Sequence, residues 1–531
     1  MLYVQGVEGA SVGSDMGEAD LLVGDAQGQM ESEASGIVAA MEAPEGSANA
    51  AGVDGCAPAP GCCGEGYTDA GEPSFVSAAE QPLSTLSADA DTASYANLRR
   101  LVRSGAGLGT IDPGAVRIEE MLNYFDYDYA APAEGEDFAL TARAGACPWN
   151  AESELVVLGL TVGQAVTEAP PTNLVLLVDV SGSMGDAEKL PLLKESMARI
   201  VKGLRAEDRV SIVTYSGVEE VVLKGASGDD AEAILGAING LEAAGSTNGE
   251  AGLSMAYRVA EETHIEGGVN RIVMASDGDL NVGISSEDEL NAFVSEKRGQ
   301  GIYLSVLGFG SGNYQDAKME TLADHGNGSY HYIDSADEAA RVYERFLAAG
   351  AVPVADDVKL QVEFDSQMVE SYRLIGYANR VMADDDFRND GADAGELCAG
   401  AELTVAYEVV LTDEGRRAKS EPWLACAVRY QPAGERAGEA SAEQRFSVGR
   451  ESWSAEPGDD WSLAAAVIEF GMLVRGSEFV GTATADDAAA LAENSASALD
   501  ATDRTARREL VDLIRQASRN AAAFDGVVAA S

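Results

Sequence analysis

Three residues at alternate positions open the chemical reading of this chain: Asp179, Ser181 and Ser183 in the run NLVLLVDVSGSMGD. One carboxylate and two hydroxyls spaced in this way can converge on one point. The pattern alone recurs by chance in roughly one chain of this length in ten, and Ser and Asp also favour turns and helix N-caps. A second acid in a similar context raises its weight, because RIVMASDGD places Asp277 at the end of another apolar run. A third component is Thr247 in LEAAGSTNGEAGL, ahead of a helical pattern; Thr247 with Glu250 also spells a capping box. Two carboxylates and three hydroxyls, with no His or Cys, form an all-oxygen donor set. Such a set suits a hard divalent ion, Mg²⁺ best and Mn²⁺ close behind, whereas Ca²⁺ wants more ligands at longer distances.

The elements that must position these residues are legible between 169 and 350. Short apolar runs (NLVLLVD, RVSIVTY, RIVMASD, IYLSVLGFG, YHYID) alternate there with amphipathic stretches (KLPLLKESMARIVKGL, AEAILGAINGL, GLSMAYRVAEETH, SEDELNAFVSEKRG, DEAARVYERFLAA). That alternation predicts a doubly wound α/β domain on a parallel sheet covered on both faces. In a sheet of order 3-2-1-4-5-6 the strands ending at Asp179 and Asp277 are the adjacent pair where the winding reverses. Open α/β sheets bind their ligands at that switch point. Two carboxylates meeting there repel unless a cation lies between them.

The remaining chain divides around this domain. Residues 1–70 are acidic, lack Lys and Arg, and are rich in Gly, Ala, Ser and Pro, a composition that predicts a disordered tail. Residues 71–132 predict a helical segment with two short helices. Period-two runs at 133–168 and 351–450 (DFALTARAG and ELVVLGLTVG; VKLQVEF, ELTVAYEVVL, WLACAVRY and QRFSVG) predict strands too few on either side for a sheet of their own. We therefore expect one β-sandwich built from both groups, with the α/β domain inserted in it. Residues 451–531 predict three helices.

Composition narrows the function. The 531 residues carry 36 Lys and Arg against 89 Asp and Glu, a formal net charge of -53. A phosphate-backbone binder needs clustered cations, so nucleic acid is not an expected partner. No run approaches the ~18 apolar residues of a membrane span. The first cation is Arg99, and the N-terminal residues show neither the charged region nor the apolar region of an export signal. Six cysteines (Cys56, Cys62, Cys63, Cys147, Cys398, Cys426) do not make a disulfide scaffold or a paired zinc motif. No Lys is preceded by Gly and followed by Ser or Thr, which excludes a P-loop, and Ser183 lacks the glycine two residues earlier of a nucleophile elbow. The histidines His264, His325 and His331 follow no catalytic pattern.

DVSGSMG, GSTNG and SDGD, in that order on an alternating β/α chain, resemble the metal-ion-dependent adhesion site of von Willebrand factor type A domains. By that resemblance Ser181, Ser183 and Thr247 offer hydroxyl ligands, and Asp179 and Asp277 act directly or through water. A carboxylate of a protein partner then completes the shell of a Mg²⁺ ion. The flanking runs PLSTLSADADTASYANLRR, AVRIEEMLNYFDYDY, CPWN, KLPLLK, GGVNRIVMASDGDLNVG and YRLIGYANR resemble the bacterial YfbK-like group, from about residue 74 to about residue 520. The resemblance implies a non-enzymatic, metal-dependent binding or adhesion module. The alternative it leaves is an assembly or chaperone-type subunit working with a separate MoxR-type AAA+ ATPase. Members of the group often begin with a secretion or lipoprotein signal, and Thr is common in them where this chain has Ser276.

Overall fold

The computed structural model describes residues 64–163, 170–278, 293–294, 296–297, 300–347, 352–419, 421–496 and 503–530. The segment 1–63, with Cys56, Cys62 and Cys63, and most of the expected helix SEDELNAFVSEKRG lie outside these residues.

In chain order the strands are β1 (Val76–Ser77), β2 (Leu83–Ser87), β3 (Phe138–Ala146), β4 (Glu154–Val162), β5 (Thr172–Asp179), β6 (Arg209–Tyr215), β7 (Glu220–Ser227), β8 (Val269–Ser276), β9 (Ile302–Phe309) and β10 (Tyr330–Ile333). They continue with β11 (Pro353–Phe364), β12 (Val369–Ile375), β13 (Gly395–Cys398), β14 (Glu402–Leu411), β15 (Pro422–Pro432) and β16 (Ala442–Gly449). β5 to β10 form one sheet in the order β10-β9-β8-β5-β6-β7, which is the expected 3-2-1-4-5-6 arrangement. β5 lies parallel between β6 and β8, and Val178 is opposite Ala275. Apolar residues of β5 alternate between two cores: Val175 and Leu177 face the helix Gly249–Glu262, while Leu174, Leu176 and Val178 face the helix Leu190–Ile200. One expectation needs correction: the edge strand β7, absent from the five apolar runs read in the sequence, is antiparallel to β6, so the sheet is not wholly parallel. Only residues 216–219 join the two, far too short a connection for a crossover, so the chain makes a hairpin.

Strands before and after this domain share two facing sheets. β4 pairs with β14, from Glu402 opposite Thr161 to Val409 opposite Glu154, within the sheet β1-β12-β14-β4-β3. The second sheet runs β13-β11-β15-β16, with β2 also on β11. Phe138, Leu158 and Leu160 from the first group share one core with Val362, Tyr407 and Trp423 from the second. The α/β domain is thus inserted in an antiparallel sandwich. Deep in its first sheet Arg373 pairs with Glu408 at 2.9 Å, both almost wholly buried. Glu408 also accepts from the Trp149 indole (3.2 Å), the Asn150 amide (2.6 Å) and the Ser153 hydroxyl (2.8 Å), so the CPWN run is the clamp on this pair.

The helices Ala93–Arg103 and Ile118–Asn123 share a core with the C-terminal helices Asp459–Arg475, Ala485–Ser495 and Asp503–Ala530. Leu98, Leu122, Ile468 and Ile514 meet there. Two expectations for the N-terminal region change. The segment 71–132 is not only helical, since it also supplies β1 and β2 to the two sheets. Leu83 and Leu86 are three apart, a helical spacing, and only pairing with β11 makes the run a strand. Nor does the tail extend to residue 70. Glu65 has a wholly buried side chain paired with Arg100 at 2.9 Å, and Tyr67 packs against both the helical and the α/β cores.

Arginines join the parts. Arg99 contacts Asp334 (2.5 Å) and Glu338 (2.9 Å) of the α/β domain and Glu509 (2.9 Å) of the last helix. Arg117 reaches Asp316 at 2.5 Å and also pairs with Glu120. Arg380, from the sandwich, meets Asp324 at 2.6 Å and Asp89 at 3.0 Å. Asp89, Asp91 and Glu120 have carboxylate oxygens within 4.8 Å of one another in this junction. Among the described residues no helix is long and apolar enough to cross a membrane.

Two predictions concern stability. Truncating Glu408 to Ala strands the buried Arg373 charge and should cost about 3–5 kcal/mol in urea unfolding, whereas Arg417→Ala at an exposed pair should be near neutral. Glu469 is wholly buried in the helix Asp459–Arg475, and neither oxygen finds a hydrogen-bond partner among the described residues. Burial first, and then the charge of Asp487, push its carboxyl up to about 7 from the ordinary 4.5. A raised carboxyl favours the fold while protonated and loses that contribution as pH rises from 4.5 through 7. Glu469→Gln should therefore raise the melting temperature at pH 8, and the gain should vanish at pH 5.

Candidate metal centre

Both acids of the expected site stand where the winding reverses. β5 ends at Asp179 and β8 ends at Ser276, so the adjacent parallel strands deliver Asp179 and Asp277 to one edge of the sheet. Both are fully buried. Asp179 Oδ1 accepts the Ser181 backbone N–H at 2.8 Å, and its Oδ2 accepts the Ser276 hydroxyl at 3.2 Å. Ser181 and Ser183 bring their hydroxyl oxygens to 3.0 Å of each other. Neither hydroxyl is consumed by a helix cap, because the short turn Gly182–Gly185 begins without a side-chain cap.

Thr247 lies half-buried on a neighbouring loop. Two backbone bonds tie that loop to the Ser181 turn: Gly182 N–H to Gly245 O at 3.1 Å and Ala244 N–H to Val180 O at 2.8 Å. The alternative role for Thr247 is not the one the structure uses. The cap of the helix Gly249–Glu262 is Asn248, whose side chain accepts from Ala251 N–H at 3.4 Å.

The two carboxylates sit in different fields. Asp179 is pushed up to about 6, by burial first and by the charge of Asp277, against the hydrogen bonds from Ser181. Asp277 is also penalised by burial, but the Ser183 hydroxyl, the Lys189 ammonium and the Asn313 amide outweigh this and hold it below the usual carboxylate range. Lys189 Nζ lies 3.0 Å from Asp277 Oδ2, and Asn313 Nδ2 lies 3.1 Å from the same oxygen. Sequence reasoning missed these two residues as well as the bridging role of Ser276. One signal for Lys189 was available: it precedes the helix Leu190–Ile200, and the helix dipole disfavours a cation at an N-terminus. Nothing in GFGSGNYQ marks Asn313, which reaches Asp277 only through the loop after β9. That loop is held in turn by Gly66, whose N–H donates to Tyr314 O at 2.8 Å and whose carbonyl accepts from Asp316 N–H at 3.0 Å.

The donors fit a hard divalent cation, since every candidate ligand atom is oxygen and both acids are withdrawn from bulk water. No histidine joins them. His331 is buried with its Nδ1 2.8 Å from Thr92 Oγ1 and its Nε2 2.9 Å from Ser329 Oγ, and burial holds its ring at about 3, the neutral form.

An α/β sheet of this order, with Asp-x-Ser-x-Ser leaving its first strand and Ser-Asp leaving its fourth, defines a von Willebrand factor type A domain, and residues 173–345 match that family. Residues 63–157 match a family described as von Willebrand factor, and residues 349–519 match the C-terminal family of the uncharacterized protein YfbK. The chain belongs to the YfbK family: it is 38% identical to YfbK of Escherichia coli (strain K12) over 427 residues, 76% of this chain and 72% of that one. It is also 30% identical to human inter-alpha-trypsin inhibitor heavy chain H3 over 200 residues, which is 36% of this chain and 22% of that protein. Among solved structures, a von Willebrand factor type A protein from Catenulispora acidiphila aligns with a TM-score of 0.40 at 18% identity, covering 70% of this chain and 88% of that one.

The helix that closes the site from one side seats Gly252 on Tyr215, the residue opposite Asp179 in β6. A Cβ at Gly252 would lie 2.5 Å from Tyr215 Cβ, whereas one at Gly236 meets nothing within 4 Å. Gly252→Ala should therefore destabilise by about 1–3 kcal/mol through overpacking, while Gly236→Ala should stabilise by about 0.5–1 kcal/mol. Chemical denaturation of the two variants checks both signs.

Proposed function

We propose that this protein is a non-enzymatic binding module whose type A domain holds Mg²⁺, or Mn²⁺, at Asp179, Ser181, Ser183, Thr247 and Asp277. The ion's free position takes a carboxylate from a protein partner. What carries the reading is the convergence of two buried carboxylates and a pair of hydroxyls 3.0 Å apart at the switch point of the sheet. Domains of this type generally serve as protein-interaction modules, which supports binding over catalysis. When bound, the ion supplies an electrophilic centre that bonds a hard anionic oxygen.

The chain's own residues prepare that centre. Ser276 and the Ser181 N–H orient Asp179, and Lys189 with Asn313 orients Asp277. The Gly182 to Gly245 bond keeps the Thr247 loop against the serine turn. Three segments far apart in sequence are thereby held before any partner arrives, which lowers the ordering cost of binding.

Thermal unfolding of the full chain with Mg²⁺, Mn²⁺, Ca²⁺ or chelator tests the reading. An ion at 100 times its dissociation constant should stabilise the fold by about 2.7 kcal/mol. The upshift with Mg²⁺ or Mn²⁺ should vanish in Asp179→Ala. Equal upshifts in the wild type and that variant, or none at millimolar ion even with acetate added, would count against the site.

A further inference from the structure

Lys189 is an unusual choice for its position. Its residue is 3% exposed, it begins a helix whose dipole repels a cation, and a buried ammonium needs a strong partner to offset desolvation. The fold nevertheless builds a slot for it. A Cβ at Gly310 would lie 2.4 Å from Lys189 Cγ and Cε, so the bare glycine, at φ +80°, is what leaves room for the stem. At the end of the slot the ammonium donates to Asn313 Oδ1 at 2.6 Å and to Asp277 Oδ2 at 3.0 Å. Asn313 uses both ends of its amide, accepting from Lys189 and donating to the same Asp277 oxygen at 3.1 Å. The Asn313 loop is fastened from outside by Glu65, whose Oε1 accepts Gly312 N–H at 2.8 Å. Lys189 is therefore a clamped fixture of the site.

We propose that Lys189 tunes the affinity of the metal centre: it is a fixed positive charge that offsets one of its two carboxylates. The inference rests on the metal-binding reading above. Asp179 and Asp277 contribute two negative charges and Lys189 one positive, so the protein presents one net negative charge to a divalent ion. The loaded site then carries one net positive charge, and without Lys189 it would carry none. The lysine thus weakens the hold on the ion and strengthens the pull on an incoming carboxylate. Burial magnifies both effects, because charge interactions fall less steeply away from bulk water.

Isothermal titration of the full chain with MgCl₂ and MnCl₂ tests this in wild type, Lys189→Met, Lys189→Gln and Asp179→Ala, each first shown to be folded by circular dichroism. The dissociation constant for the metal should fall at least tenfold in both lysine variants. In the Mg²⁺-saturated proteins the further thermal upshift given by acetate should shrink in both. Gln retains a donor toward Asp277 without the charge, so it also serves should Met fail to fold. Metal affinity that tightens less than tenfold, stays unchanged or weakens in the folded variants would overturn the proposal. Weakening in Met with wild-type affinity in Gln would overturn it too, reducing Lys189 to a hydrogen-bond donor. Loss of binding in Asp179→Ala alongside wild-type behaviour of the lysine variants would sink only this inference. Identical binding in Asp179→Ala and wild type, or no binding in any chain, would remove the metal reading and this inference together.

Discussion

Pairing of β4 with β14 is the constraint on which the rest of the structure depends. The sheet β1-β12-β14-β4-β3 takes three strands from before the type A domain and two from after it, so the ladder from Glu154 and Val409 to Thr161 and Glu402 must close across the whole inserted domain. Once it closes, both ends of the α/β domain are anchored to one sandwich. The buried Arg373 and Glu408 pair lies in this sheet, one partner on β12 and the other on β14. Because that sheet is incomplete until both groups meet, the insertion is tolerated only if the α/β domain folds compactly between them. Its continuous apolar strands and local βα crossovers suit that requirement.

A chain with 89 acids and 36 basic residues has few cations to use at its junctions. It uses arginine there, whose planar fork can serve several carboxylates at once. Arg99 joins the N-terminal helix to the α/β domain and the last helix; Arg117 and Arg380 hold opposite flanks of the same acidic junction. Burial raises several of the acids they face, among them Asp91 and Glu120. The joint between domains is therefore electrostatic and directional as well as apolar.

The proposed metal centre shows the same economy. Its candidate oxygens come from the ends of β5 and β8 and the Thr247 loop, and their orienting partners are Ser276, Lys189 and Asn313. These partners are fastened by residues from outside the domain, since Glu65 and Gly66 hold the loop that carries Asn313. A domain that looks self-contained in sequence thus has its site finished by a segment that precedes it.

Sequence alone determined the α/β character, the strand order and the placing of Asp179 and Asp277 side by side. Buried parallel strands read as unbroken apolar runs, and a doubly wound order puts the switch point between the first and fourth of them. It also determined the insertion, because two incomplete sets of period-two strands can be satisfied only by each other. Tertiary structure alone decided that LSTLS is a strand on β11, that the 216–219 turn reverses β7, that Asn248 and not Thr247 caps its helix, and that Lys189 and Asn313 reach Asp277. Each of these depends on a partner distant in sequence or on a short polar side chain with several equivalent local options. Local pattern reports which face of an element is buried; it does not report which side chain crosses to a neighbouring loop, because that is set by the packing of whole elements.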